Sequence, residues 1–79
     1  MANPWVSDER LFEIAEDMQV LFEVGNLHSR STSGDVAAKA REYLADEGLP
    51  TKRSVCFLVA KYASLLWLGK IEEVKKETS

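Results

Sequence analysis

The chain reads as an all-α protein: a single small domain over residues 1–79, folded as a compact bundle of three main helices. Three observations point there. Apolar residues recur at helical spacing in three stretches, about 7–24, 33–47 and 51–68. Capping or breaking residues bracket each stretch. No segment has the strict alternation of a half-buried strand. A short C-terminal element after residue 68, helical or extended, completes the expected architecture.

The first helix starts at Ser7, a good N-cap, with Asp8 and Glu9 suited to the positive end of the helix dipole. Val6 and Leu11 hold the two positions of a hydrophobic staple. Leu11, Ile14, Ala15, Met18, Leu21 and Phe22 fall on one face, while Glu13, Glu16 and Asp17 lie opposite. Gly25-Asn26 stops the helix. Residues 26–33 form a polar loop with Leu27 tucked inward. Thr32 and Asp35 have the spacing of a capping box, so the second helix begins near Thr32 or Ser33. Val36, Ala37, Ala40, Tyr43 and Leu44 give its inner stripe, and Gly48 suits the left-handed position after its end, followed by Pro50.

The third helix, beginning at about Thr51, is apolar nearly all round. Between Val55 and Gly69 only Lys61 and Ser64 interrupt apolar and small residues. Val55, Leu58, Val59, Tyr62, Leu65 and Leu66 make a compact face, taken as the core surface. Cys56, Ala60, Ala63 and Trp67 make a second face of three small residues and one large anchor. Phe57 and Leu68 lie on a third side beside Lys61. Gly69 is read as its C-cap. Ile71 and Val74, three residues apart, favour helix over strand beyond it.

Size and charge narrow the functional classes. A 79-residue chain buries only about 60% of the surface its unfolded form exposes, so its core is modest. Oligomerisation is one of the usual remedies. Cys56 is the only cysteine, which excludes an internal disulfide and a cysteine-based zinc cage; inside an apolar run it reads as a buried hydrophobe in a reducing compartment. Residues 1–5 lack the pattern of a signal peptide. The apolar run carries Lys61 and is shorter than the roughly 20 residues of a bilayer span. A cytoplasmic protein without a membrane partner is expected.

The net charge of −3 is unevenly spread. Residues 1–25 hold six acids against Arg10 alone, and the remainder holds nine bases against seven acids. Nucleic acid is therefore not attracted over a broad surface.

Catalysis has little to stand on. A Ser or Cys nucleophile needs a nearby base, and the one histidine, His28, lies in a polar loop. Glu13, Glu16 and Asp17 cluster on a helix, but no calcium-loop pattern or Glu-x-x-His pair accompanies them. They read as a solvated acidic face, and as a secondary docking surface for a basic partner. No enzyme activity, metal, cofactor or small-molecule substrate is expected.

Association is the leading expectation. The apolar excess of the third helix calls for a partner, either a second copy or another protein, with Phe57, Ala60, Ala63, Trp67 and Leu68 as the contact face. A large aromatic such as Trp67 serves equally as core filler or interface anchor. Trp5 is expected to cap the bundle. A helix-turn-helix DNA-binding regulator is the alternative. The short Gly-containing link between the second and third helices suits that motif, and the residues then presented to DNA are Lys52 and Arg53. These cations sit where the helix dipole disfavours them, and breaking a local rule can mark function. Arg30, Lys39 and Arg41 would be auxiliary phosphate contacts. The run from Val55 through Leu65-Leu66 to Gly69-Lys70-Ile71 loosely resembles the end of a winged-helix recognition helix leading into its wing. That resemblance covers about half the chain, has no diagnostic motif and assigns no family. Against DNA, the third helix beyond its first turn exposes mainly Lys61 and Ser64 to read base edges. A bland role for Lys52 and Arg53 is as solubilising charges paired with Asp46 or Glu47.

Overall fold

A computed structural model of the chain describes residues 6–78, with side chains described for residues 6–70. Four helical segments follow in order: α1 (Asp8–Asp17), α2 (Gln19–Glu23), α3 (Ser33–Asp46) and α4 (Arg53–Thr78). All described regular structure is helical, and the helices pack as an all-α bundle.

Local chemistry sets the boundaries. The Ser7 hydroxyl accepts the Arg10 N–H at 3.2 Å, and Thr32 Oγ1 accepts the Asp35 N–H at 3.1 Å, each satisfying one orphan donor of a helix start. The end of α3 is a Schellman motif. The Leu49 N–H reaches the Leu44 carbonyl and the Gly48 N–H reaches the Ala45 carbonyl, with Gly48 at φ 69°. The expected first helix is interrupted at Met18. That residue keeps helical dihedrals and an N–H bond to the Ile14 carbonyl, while the Leu21 N–H reaches back only three residues to Met18. The turn tightens there, and α2 continues the helical path.

The core gathers Leu11 and Ile14 from α1, Met18 from the junction with α2, Val36 and Leu44 from α3, and Val59 from α4, all fully buried. Val6 and Leu27 are buried as well. The α3–α4 packing is the most extensive in the molecule, followed by α1–α4. The long axis of 43 Å matches α4, whose 26 residues span about 39 Å at 1.5 Å each.

Two expectations are corrected. The helix does not stop at Gly69: α4 runs through it to Thr78, so residues 70–78 continue the helix and form neither a separate element nor a wing strand. Among the described glycines only Gly25 and Gly48 have positive φ, so Gly69 lacks the left-handed geometry of a cap. Second, the buried face of α4 is turned by roughly a quarter of a revolution from the expected one. Val55, Cys56, Val59, Ala60 and Ala63 are buried; Leu58, Tyr62 and Leu66 are half-buried; Leu65 is 56% exposed. Small side chains let neighbouring helices approach closely, so the small-residue face took the centre. The structure also buries Gln19. Its Nε2 donates to the carbonyls of Ala15 and Ala63, both at 3.0 Å, tying α2 to α4, while its Oε1 has no partner among the described residues. Trp5 lies outside the described residues, as do the side chains of Ile71 and Val74.

Candidate functional site

Two hollows lie side by side along α4 and share Phe57. The first, about 300 Å³, is floored by Gly34, Ala37 and Ala38 of α3 and by Cys56 and Phe57 of α4, with Thr51 at its edge. Arg41 and Arg53 line it as well, and the Arg53 guanidinium sits 5.5 Å from the centre of the Phe57 ring, within cation–π range. Burial pushes the Cys56 thiol above its ordinary value, and the Arg41 charge partly opposes this, which places Arg41 electrostatically against the same wall. The second hollow, about 260 Å³, is lined by Ser33, Phe57, Ala60, Lys61, Ser64 and Leu65. Leu68, 46% exposed, lies one turn beyond Ser64.

These hollows form one strip about 20 Å long on the outer side of α4. Its beginning is cationic and its end apolar. Among the described residues, Arg41, Lys52, Arg53 and Lys61 form no ion pair. The pairing of Lys52 or Arg53 with Glu47 does not occur, because Glu47 accepts from Arg10 at 2.8 Å; Asp46 forms no ion pair with them either.

The expected contact residues divide between inside and outside. Ala60 and Ala63 are buried in the chain's own core, so they offer no free face beyond the rim Ala60 gives the second hollow. Trp67 stacks on Phe22 with ring centres 5.2 Å apart; it is an anchor between α2 and α4 of one chain. Phe57 and Leu68 remain on the strip. Leu65, assigned by periodicity to the core, joins them. Only the smallness of Cys56, Ala60 and Ala63 signalled in the sequence that this other face would be drawn inward.

Glu13, Glu16 and Asp17 are exposed on α1, where Glu13 also accepts from Arg10 at 3.0 Å. Of the candidate phosphate contacts, Arg41 and Arg53 line the first hollow, and Lys52 is exposed between Thr51 and Arg53. Lys39 pairs with Glu42 at 3.6 Å, and Arg30 is exposed in the loop before α3. His28 is exposed in that loop, its N–H donating to Ser31 Oγ, whereas Cys56 is buried in α4. Among the described residues, no three His, Cys, Asp or Glu side chains converge to hold a metal ion, and no helix is long and apolar enough to cross a membrane. No protein-family description, curated protein or solved structure matches the chain.

Proposed function

We propose that this is a small non-enzymatic regulatory or adaptor protein that works by protein association through the outer strip of α4. One observation carries the reading: Leu65 lines the second hollow with Phe57 and stays exposed, as does Leu68 just beyond it, although α4 already packs against both α1 and α3. Scattered exposed leucines are ordinary. Here they continue a lined hollow, as interface anchors do. Replacing both with glutamate removes that apolar end while touching nothing in the core. Light scattering over a dilution series is expected to show wild-type mass rising above one chain by about 100 µM, and the Leu65→Glu/Leu68→Glu variant remaining a folded monomer. A wild-type protein that never associates contradicts the self-association form of this reading.

DNA binding is the second reading, favoured by Arg41, Lys52 and Arg53, which form no ion pair among the described residues. It is weaker because the exposed side of α4 beyond them is mostly apolar, and duplex base edges are read by polar groups.

A further inference from the structure

We infer that the partner on the α4 strip is a second copy of this chain, which presents the outer face of its α1–α2 segment. The inference rests on the association reading above and names both the occupant and its alignment.

The argument starts from the exposed large apolar residues: Phe12, Val20, Val24, Leu65 and Leu68. Leu65 and Leu68 belong to the strip. Val20 and Val24 follow Glu13, Glu16 and Asp17 around one side of the first two segments, at spacings of three and four residues. Phe12 stands at the edge of that face against Tyr62, with ring centres 5.9 Å apart. The protein therefore carries two apolar-dotted helix faces of opposite charge.

Their order along the chain also matches. On α4, Arg53 and Lys61, with Arg41 beside them, precede Leu65 and Leu68. On α1–α2, the acids precede Val20 and Val24. The α1–α2 face runs about 16 Å from Glu13 to Val24, within the roughly 22 Å from Arg53 to Leu68. Laid parallel, the acids meet the unpaired cations and the valines meet the leucines. An antiparallel alignment would set acids against leucines and leave the cations facing valines. Duplex DNA is a poorer fit, since the acidic face belongs to the same small molecule and repels phosphate.

The test uses charge reversal on the whole chain. One variant carries Arg53→Glu and Lys61→Glu; the other carries Glu16→Lys and Asp17→Lys. All four positions are exposed, and none forms an ion pair among the described residues, so circular dichroism should show both variants folded. Each alone should associate at least tenfold more weakly than wild type in sedimentation at about 50 mM salt, where screening is modest. Mixed one to one, they should associate again, because each reversed face then meets its opposite. The milder pair Glu16→Gln and Asp17→Asn should weaken wild-type association in the same direction if a reversed variant fails to fold.

Several results would overturn the proposal. If the wild type associates and the α4 variant does not, but the α1 variant behaves as wild type, the strip stands and its occupant is something else. A mixture that fails to associate excludes the pairing of these two faces. Salt-sensitive binding to duplex DNA, lost in the α4 variant while self-association is absent, assigns the strip to nucleic acid. A wild-type chain that stays monomeric at about 1 mM removes the self-association reading together with this one.

Discussion

At the scale of single residues, Cys56 shows how neighbours set chemistry. Its thiol is buried, and its Sγ–H donates to the Thr51 carbonyl at 3.5 Å. Burial raises its pKa above the ordinary 9.0, with the Arg41 charge and its own backbone N–H acting in the opposite direction. A folded state that favours the neutral thiol is at full strength below pH 9 and loses stability as pH rises past that value. The nucleophile is the thiolate, so alkylation by iodoacetamide at pH 8 should be at least tenfold slower in the folded chain than in urea. Arg41→Gln removes the opposing charge and should slow the reaction further. A faster reaction in that variant would mean that Arg41 shields the thiol sterically rather than electrostatically.

At the scale of elements, two of the three glycines that the sequence marks as helix ends part company. Gly48 holds φ 69° in the Schellman motif, whereas Gly69 lies inside α4 without positive φ, and a Cβ there meets nothing within 4 Å. Gly69→Ala should therefore stabilise the protein by about 0.5–1 kcal/mol, and Gly48→Ala should destabilise it by about 1 kcal/mol through left-handed strain. Urea unfolding of the two variants reads both signs; a destabilising Gly69→Ala would restore the cap that periodicity suggested. The contrast shows what was legible. The Ser7 and Thr32 caps, the inner stripes of the first two helices and the inward Leu27 follow from local chemistry and one-sided patterns, and they are found in the structure. The orientation of α4 does not follow, because a helix apolar on all sides offers periodicity no face to select. Packing selected it, by drawing Cys56, Ala60 and Ala63 inward. Gln19 gives no such signal in the sequence: its polarity suggests water, but its amide donors reach two helix carbonyls. Of the candidate site, the cations and Phe57 and Leu68 were visible in the sequence, whereas Leu65 and the floor supplied by Ala37 and Ala38 needed the fold.

At the scale of the whole molecule, one side of α4 packs into the bundle while the other leaves Leu65 and Leu68 exposed. A chain of this length has a total stability on the order of 4–12 kcal/mol, so a loss of 2 or 3 kcal/mol in its core is a large fraction. Trp67, half-buried and stacked on Phe22, closes the junction between α2 and α4 beside the Gln19 bridge to the Ala63 carbonyl. Trp67→Glu removes the stacked ring and sets a carboxylate against the Phe22 ring, a change that combines lost burial with desolvation of a charge. Its cost should be about 2–4 kcal/mol, visible as a lower urea midpoint by circular dichroism at a dilution where no association occurs. Leu65→Glu, two residues earlier on the opposite side, should leave that midpoint within about 0.5 kcal/mol of wild type. If instead Trp67→Glu kept the wild-type midpoint while abolishing association, the tryptophan would belong to an interface and the Phe22 stack would contribute nothing to the fold. The ring separation of 5.2 Å lies within the range of favourable aromatic pairing, which argues for the first outcome.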